Sequence, residues 1–304
     1  MKKTSTHDIH QTVTDHIIAA IDNGAGEVIL PWQRGGSSFG FLPKNAVTGR
    51  HYNGINVLQL WAVSELKHYP GEGLWASYKQ WASIDAQVRK GEKATLVIFY
   101  KEYHGDPDPD VEGDDGLRRV AKASWVFHCS QVDGFALPDA PEPKPPIERL
   151  AAVEAFVKAT GAMVKIGGDR AFYSRASDSI TMPDEDRFTG DALQRREAFA
   201  CVELHELAHW TGHEKRLHRE FGKRFGDNAY ALEECCAEFT AAFLAAELGV
   251  TPSPRPDHAA YIQNWIQVLK EDNRAIFTAA AKASEAARYL ASFSKAEVAY
   301  DAAA

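Results

Sequence analysis

The residues with the clearest chemical meaning are the His-Glu-Leu-Ala-His run from His205 to His209. Histidines four residues apart lie on one face of a helix, so both imidazoles can reach a single metal ion. Glu206 lies beside them, where a carboxylate can take a proton from a water molecule that zinc activates. The run falls in a segment of helical periodicity, Asp191–Thr211, which Gly212 ends. The sequence therefore predicts a metal centre with His205 and His209 as ligands and Glu206 as catalytic base.

A catalytic zinc ion usually has three protein ligands and one open position, so a third ligand is needed. The metzincin pattern would place a histidine at position 215, which is Lys215 here. Glu234 and Glu238 lie four residues apart in a helix that is otherwise apolar, where acids need a partner. We predict that Glu234 is the third ligand and that Glu238 orients a ligand histidine. Tyr230, one turn earlier, is a candidate hydrogen-bond donor to an oxyanion, and core packing explains it equally well.

The cysteines favour a reducing compartment and do not compete for this metal. They form no CxxC pair or regular framework, which predicts reduced thiols in a cytoplasmic protein. Cys235 and Cys236 point away from Glu234 around the helix, so we expect both to be buried. The predicted cofactor is Zn²⁺, with another divalent ion such as Mn²⁺ as the alternative.

The elements that must position the metal centre lie in the second half of the chain. A helix is predicted at each of five segments: Pro146–Thr160, Asp191–Thr211, Asn228–Leu248, Pro256–Arg274 and Ala275–Leu290. Short strands are predicted at Ala171–Ser174 and Ser179–Met182, joined by a turn. We expect the second strand to be the edge along which an extended peptide pairs with the cleft. This half is predicted to be mostly helical with a small sheet.

Length and composition predict two domains. The chain has 304 residues, 45% apolar and 25% charged, which suits two domains with cores of their own. Five prolines between Pro138 and Pro146 predict a stiff linker at 138–146, separating a domain at 1–137 from one at 147–304. No apolar run is long enough to span a membrane, and the first residues lack a secretory h-region. We therefore expect no membrane partner; no oligomeric state follows from the sequence.

The first half is predicted to be α+β. Helices are predicted at Asp8–Asp22, Asn53–Lys67 and Trp75–Ala86. Strands rich in β-branched and aromatic residues are predicted at Ala94–Tyr100 and Ala123–Cys129. They flank the segment Glu102–Asp115, which has seven acids and no Lys or Arg and is interpreted as a solvated loop. The two strands are therefore predicted to form a hairpin with a long insertion.

The first half is also locally basic, although the whole chain has a net charge of −8. Between Val28 and Lys101 there are nine basic residues against four acids, a net of +5. Aromatic residues are interleaved with them, and the combination suits single-stranded DNA, although half or more of the rings must form the core. The candidate DNA contacts are Lys44, Asn45, Arg50, Tyr52, Asn53 and Asn56 in one loop, and Lys79, Gln80, Arg89, Lys90 and Lys93 in a second group. A solvated turn is the alternative for Arg89 to Lys93.

The motifs resemble those of the ArdC family of plasmid antirestriction proteins. The resemblance runs in order through nearly the whole chain, at Trp32, Pro43–Asn56, Trp75–Gln80, Val88–Thr95, Val126–Gly134, Ala171–Pro183, His205–His213 and Glu234–Glu238. It implies an N-terminal domain that binds single-stranded DNA and a C-terminal zincin-like metallopeptidase domain. It also implies protection of incoming conjugative DNA from host restriction endonucleases, metal ligation by His205, His209 and Glu234, and a base role for Glu206. The acidic insertion and the Cys235-Cys236 pair depart from the family pattern without touching a ligand position.

Three hypotheses follow for the function. The favoured one is a protein that protects single-stranded DNA and carries a competent metal centre. The alternative is a zinc peptidase that cleaves a host protein, with DNA binding serving only to localise it. In a third, the metal holds the domain together without turnover.

Overall fold

A computed structural model describes residues 6–22, 42–70, 73–106, 117–137, 145–221, 229–250, 266–268 and 270–294. Trp32, positions 107–115 of the acidic segment and most of the proline-rich linker lie outside these residues. The domain bounds and the linker therefore stay predictions. Within the described ranges, no helix is long and apolar enough to cross a membrane.

The first half combines three helices with two small sheets. The helices are α1 (Thr6–Asp22), α2 (Ile55–Lys67) and α3 (Tyr78–Ala82). The strands are β1 (Lys44–Asn45), β2 (Leu74–Ala76), β3 (Gln87–Val88), β4 (Thr95–His104), β5 (Leu117–His128) and β6 (Val132–Asp133). The larger sheet has the order β1-β2-β5-β4, and β3 pairs with β6. Strands β4 and β5 are antiparallel partners, with Thr95 opposite Val126, which confirms the predicted pairing. The strands are longer than predicted, because 102–104 of the predicted loop belong to β4 and pair with the start of β5.

The predicted helix at Trp75–Ala86 is wrong at both ends, because α3 covers only Tyr78–Ala82. Trp75 and Ala76 belong to β2, which is buried and pairs with β1 and β5. The helix begins only at Tyr78, because Ser77 is extended and its side chain accepts a hydrogen bond from the Gln80 N–H in a capping box. The spacing of the aromatic residues suits a helix, but pairing on both sides of β2 decides the backbone.

The second half supplies the helical frame. Its helices are α4 (Pro146–Thr160), α5 (Ala192–Thr211), α6 (Ala229–Leu248) and α7 (Ala275–Ala291), each within one residue of its predicted bounds. Of the predicted helix at Pro256–Arg274, residues 266–268 and 270–271 are described and are helical, and the earlier part lies outside the described residues. Gly161 and Gly249 follow their helices with positive φ, at 72° and 71°.

The small sheet differs from prediction in its order. Its strands are β7 (Met163–Ile166), β8 (Phe172–Ser174) and β9 (Ser179–Met182), and β9 lies between the other two. The expectation that Ser179–Met182 is the edge strand is therefore wrong. Strand β7, which was not predicted from the sequence, covers one side of β9 by parallel pairing. The edge toward α5 is β8.

The two halves share one continuous hydrophobic core. The Trp61 ring of α2 packs against the Phe243 ring of α6 at 5.9 Å between centroids. At the start of α2, the Gly54 N–H donates to the Ser284 hydroxyl of α7 at 2.7 Å. Apolar burial across this contact stabilises both halves together. The basic loop of the first half is thus attached to the helices that carry the metal centre.

Candidate metal centre and nucleic-acid surface

Helices α5 and α6 bring the predicted ligands to one point. Asp191 caps α5 by accepting a hydrogen bond from the Gln194 N–H, and the helix presents His205 and His209 on one face. The Nε2 atoms of the two histidines are 3.1 Å apart. The Glu234 carboxylate, on α6, approaches them at 3.5 Å from His205 Nε2 and 3.4 Å from His209 Nε2. Among the described residues, these three form a group able to hold a metal ion.

Each ligand histidine has a second carboxylate on its other ring nitrogen. The Glu238 carboxylate lies 3.5 Å from His205 Nδ1, the position predicted for an orienting residue. His209 Nδ1 lies 3.0 Å from Glu233 Oε1, a partner that was not predicted from the sequence. The hydrogen bond to Glu233 fixes the His209 ring and leaves its Nε2 free to bind a cation. Among the described residues His205 Nδ1 has no hydrogen-bond partner, so Glu238 lies near that ring without bonding it. The Glu233-Glu234 dipeptide itself is visible in the sequence, but nothing there shows which of the two faces His209.

Arg219 holds Glu233 in place from the opposite side. Its Nε donates to Glu233 Oε2 at 2.8 Å, and Nη2 donates to the other oxygen of the same carboxylate. The remaining donors reach Thr211 Oγ1 at 2.8 Å and the Ala208 carbonyl at 2.9 Å. Arg219 is 2% exposed, so this is a buried, bidentate ion pair that fixes Glu233 in one orientation.

The carboxylates of the cluster stabilise the protonated form of His209. Burial lowers the pKa of His209, but hydrogen bonds to Glu233 and Glu234 outweigh burial and raise the pKa to about 9. Burial opposes ionisation of Glu234, yet hydrogen bonds from His205 and His209 hold its pKa well below the usual range. A proton and a metal ion therefore compete for the same ring nitrogen. Cys235 and Cys236 are buried as predicted, and burial raises the pKa of Cys236 to about 12.

A cleft of about 1080 Å³ opens onto the three ligands. Glu206, which is 4% exposed, lines it next to His205, where the predicted base should be. Tyr230 also lines the cleft and is 60% exposed at its mouth, so core packing does not explain it. Three arginines, Arg170, Arg175 and Arg187, contribute to the same wall.

The edge strand β8 forms one side of the cleft, because a polar cluster attaches it to the end of α5. Phe172 and Tyr173 of β8 line the cleft. Arg216 donates to the Tyr173 hydroxyl at 3.1 Å and to Asp178 Oδ2 at 3.1 Å, and it stacks over the Trp210 ring at 3.9 Å. The hydrogen bond from Arg216 lowers the pKa of Asp178 to about 2. Burial, together with Asp178, raises the pKa of Tyr173 to about 12.

The two groups of predicted DNA contacts lie side by side. Asn45 Nδ2 donates to Gln80 Oε1 at 3.3 Å, which joins the first loop to α3. The exposed members of the two groups are Lys44, Arg50, Lys79, Arg89, Lys90 and Lys93, and Asn53 is half-buried. The cations predicted from the sequence therefore share one region of the surface.

Several of the predicted contacts have internal roles instead. Tyr52 and Asn56 are 3% and 2% exposed, and the Asn56 amide bonds the backbone N–H and C=O of Ile98 at 2.8 and 2.7 Å. Asn45 is buried, and its Oδ1 accepts two backbone N–H groups of its own turn. Gln80 belongs to the capping box of α3. Tyr52, Asn45 and Asn56 are buried, so these three predicted contacts are corrected to positions inside the fold. Gln80 is half-buried, and its role as a DNA contact stays a prediction.

Arg89 is exposed, but its guanidinium is bonded to other residues of the fold. Its guanidinium donates to Glu92 at 2.9 Å, to Asp133 at 3.4 Å and to the carbonyls of Ser130 and Val132. It therefore ties β3 to the β6 segment and has few donors left for a phosphate. Its role as a DNA contact stays a prediction beside this bridging role.

Comparison with known proteins matches both halves of the chain. Residues 7–127 match the family model of the N-terminal domain of the anti-restriction factor ArdC. Residues 151–282 match that of a zincin-like metallopeptidase. The metal-free crystal structure of the antirestriction protein ArdC from plasmid R388 is 32% identical, with a TM-score of 0.72 over 94% of this chain and 97% of that one. This chain belongs to the ArdC family. The predicted two-domain α+β fold and the family resemblance are thereby confirmed.

Other relatives differ in length. The protein y4eC of Sinorhizobium fredii (strain NBRC 101917 / NGR234) is 40% identical over 93% of this chain and 91% of its own length. Two Escherichia coli proteins named DNA primase TraC are 34% and 35% identical over 95% of this chain, which spans only 20% and 27% of their lengths. A Mn(II)-bound structure of R388 ArdC has the same identity and TM-score as the metal-free one.

The zincin-like domain of the ArdC family implies a divalent metal, and the donor set in this chain fits one. Ligand atoms 2.0–2.1 Å from a tetrahedral ion are about 3.3 Å from one another. The two Nε2 atoms are 3.1 Å apart, and Glu234 places one carboxylate oxygen 3.5 Å from His205 Nε2 and the other 3.4 Å from His209 Nε2. One donor atom of each residue lies within 4.8 Å of the others, so the three side chains converge on a point that a divalent ion can occupy. Two imidazoles and a carboxylate suit Zn²⁺ and also Mn²⁺. His205, His209 and Glu234 would hold the ion.

Proposed function

We propose that this protein binds single-stranded DNA through its N-terminal half and protects incoming conjugative plasmid DNA from host restriction endonucleases. The observation that carries the proposal is the similarity to R388 ArdC, which covers 94% of this chain and includes both domains. The match extends to the N-terminal family model at residues 7–127. A restriction endonuclease acts on duplex DNA, so a protein on the entering strand delays formation of its substrate.

The surface chemistry supports a single-stranded ligand. Among the described residues, Lys79, Lys90 and Lys93 are exposed, and no hydrogen bond or ion pair holds their ammonium groups. Exposed aromatic residues accompany them, with Tyr78 at 51% and Trp125 at 48%. Free cations follow the phosphates and rings stack on unpaired bases, a combination that sequence-tolerant single-strand binders use.

The test is conjugation into restricting and non-restricting recipients. A plasmid carrying the wild-type gene is expected to enter both equally, and one with Lys79, Lys90 and Lys93 all changed to Glu to be lost in the restricting host. Anisotropy with single-stranded and duplex oligonucleotides over a salt series measures the binding itself. Binding that is equal at low and high salt, or equal transfer of both plasmids into the restricting host, contradicts the proposal.

A second candidate function is supported by the cleft, namely hydrolysis of a peptide bond in a host protein. A divalent ion bound by the three ligands would polarise the scissile carbonyl and activate water. Glu206 accepts the proton of the attacking water and passes it to the leaving amine. Tyr230, at the mouth, is placed to donate a hydrogen bond to the oxyanion. The edge strand β8 offers its backbone to an extended substrate, the role predicted for the β9 strand.

Glu206→Gln tests this second function, because it removes the base without removing a ligand. We expect unchanged metal binding and a loss of peptide hydrolysis of about 10²- to 10⁴-fold. Conjugation with the same variant then separates the two proposals. Retained protection means that catalysis is not needed for antirestriction, and lost protection with intact DNA binding places the peptidase in the pathway.

A further inference from the structure

A second cavity, of about 700 Å³, lies in the first half of the chain, away from the metal cleft. It is lined by residues of α3, β3, β5 and β6, and we refer to it as the Tyr78 pocket. Its principal lining residues are Tyr78, Gln87, Val88, Lys90, Phe127 and Asp133. Arg89 and Glu92 complete the lining, and of all these residues Arg89 and Lys90 belong to the contacts predicted from the sequence.

The wall of the pocket is an aromatic ring held in one orientation. Tyr78 is 51% exposed, yet its hydroxyl accepts a hydrogen bond from Gln87 Nε2 at 2.9 Å. The ring meets Phe127 edge-on, with centroids 6.4 Å apart. The backbone that carries Phe127 is bonded to the core, because its carbonyl accepts a hydrogen bond from Trp81 Nε1 at 3.0 Å. A ring held at its edge and its hydroxyl, with a face toward solvent, is a pre-organised stacking platform.

The polar groups of the pocket suit the edge of a base. Gln87 Nε2 is used twice, by the Tyr78 hydroxyl and by the Val88 carbonyl at 3.0 Å. Among the described residues nothing donates to Gln87 Oε1, which therefore can accept from an exocyclic amino group. Asp133, with its side chain 69% exposed, supplies further acceptor oxygens at the rim.

The lining of the pocket has no net charge, whereas the surface beside it is basic. Within the lining, Arg89 and Lys90 are balanced by Glu92 and Asp133, and the Arg89 guanidinium is occupied by both acids. A neutral aromatic pocket does not attract a phosphate. The unpaired ammonium groups of Lys79, Lys90 and Lys93 lie outside it or at its rim, where the backbone of a nucleic acid would run.

We propose that the Tyr78 pocket takes one unpaired nucleobase of a DNA single strand, stacked on the Tyr78 ring, while the neighbouring lysines bind the phosphates. This assignment rests on the proposed binding of single-stranded DNA, and it explains why single strands would be preferred over a duplex. In a duplex the base is paired and stacked within the helix, so occupying the pocket would require it to be unpaired, at a cost of a few kcal/mol. The pocket therefore selects single strands, whereas lysines alone attract both forms.

The experiment uses the full-length protein and an oligonucleotide with one 2-aminopurine, whose fluorescence reports stacking. Wild-type protein is expected to change the 2-aminopurine signal on binding. In Tyr78→Ala, affinity for the single strand should fall about 5- to 150-fold, the range for removal of one base–aromatic stack, and the fluorescence change should disappear. The slope of log affinity against log salt should stay the same, because the lysines that bind the phosphates are unchanged. Tyr78→Phe keeps the ring and should keep the fluorescence change.

Tyr103→Ala is the matched comparison, because this tyrosine is 47% exposed near the far end of β4. The proposal is overturned if Tyr78→Ala leaves the fluorescence change and the affinity intact, or if the loss appears in Tyr103→Ala instead. If Tyr78→Ala binds weakly and also melts at a lower temperature than Tyr78→Phe, loss of folding would explain the weak binding equally well. In that case Gln87→Ala provides the second test. That variant keeps the Tyr78 ring and removes the Gln87 Oε1 acceptor proposed for the edge of the base, so it should weaken single-strand binding without unfolding α3. If the wild-type protein binds neither form of DNA, the proposed function fails, and not the pocket geometry alone.

Discussion

The metal centre and the basic surface of the first half use charged residues in opposite ways. In the metal centre the charged side chains are buried or half-buried and lie against one another: Arg219 pairs with Glu233, and Glu234, Glu233 and Glu238 face the two histidines. On the basic surface the lysines are exposed, and among the described residues their ammonium groups bind nothing in the fold. One region is built to hold a small cation at a fixed point. The other leaves cations exposed to solvent, as the proposed binding of a large, flexible anion requires.

This difference explains why the sequence restricts the candidate metal ligands to a few residues, whereas the predicted DNA contacts include residues with roles inside the fold. Ligands of one ion must converge, so helical spacing alone restricts which side chains can take part. A nucleic-acid surface has no such restriction, and basic or amide residues near it also build turns and caps. Asn56 and Arg89 have the right chemistry for DNA, but their polar groups are already bonded within the domain.

The largest effect is expected for Glu234→Ala, which removes one of three ligands. Metal affinity, measured by calorimetry with Zn²⁺ and with Mn²⁺, should fall by more than the about 10- to 100-fold typical of removing an outer partner. Binding of single-stranded DNA should not change, because the ligands and the lysines lie in different domains. Glu214→Ala, a change at an exposed glutamate just beyond α5, is the matched control and should bind metal normally. Equal metal affinity in the two variants would remove Glu234 from the ligand set.

The second largest effect is expected for Arg219→Met. It leaves the Glu233 carboxylate buried without its bidentate partner, which should cost about 3–5 kcal/mol of folding free energy. It also frees the Glu233 side chain, so His209 loses its orientation and metal affinity should fall about 10- to 100-fold. Chemical denaturation and calorimetry measure the two effects separately.

The double variant Arg219→Met/Glu233→Gln is the control for that prediction. It removes both charges, so much of the stability should return while metal affinity stays low, because a glutamine is a weaker partner for His209 Nδ1. Unchanged metal affinity in Arg219→Met would show that His209 is oriented without Glu233.

The ligand set could be predicted from the sequence, but the residues that fix it could not. His205 and His209 follow from the motif, and Glu234 follows from an acid in an apolar helix. Arg219 lies in an irregular segment after α5, ten residues beyond His209. No periodicity connects it to Glu233, because only the tertiary packing of α5 against α6 brings the two together.

Helix bounds were predicted well for the same reason, and strand neighbours were not. Helices are set by local periodicity and caps, such as Asp191 before α5. The order of strands depends on pairing between distant segments, so β7 was missed and β9 was placed at the edge. Likewise, the proline-rich linker suggests separable domains, whereas Trp61 and Phe243 pack in one shared core.

The free energy of unfolding should depend on pH through one buried histidine of the first half. His128 stacks on Tyr69 at 4.8 Å, and burial lowers its pKa to about 4. Above pH 6.5 both the folded and the unfolded chain carry this ring neutral. Between about pH 6.5 and pH 4 only the unfolded chain takes up a proton. The free energy of unfolding should therefore decrease by about 3 kcal/mol in total as the pH is lowered through this range. Urea denaturation across this window measures it, and the His128→Gln variant should lack this contribution to the slope.

The smallest effect, and the sharpest test of the basic surface, is expected for single charge reversals. Lys90→Glu and Lys93→Glu should each weaken single-strand binding several-fold and reduce the salt slope by about 0.7 for each phosphate that is no longer bound, without changing the melting temperature. Arg89→Glu should behave differently, because it breaks the bridge to Glu92 and Asp133 and lowers stability. Arg50→Glu tests whether the first loop shares the same ligand. If Arg89→Glu reduced the salt slope at full stability while Lys90→Glu did not, Arg89 and not Lys90 would be the residue that binds phosphate.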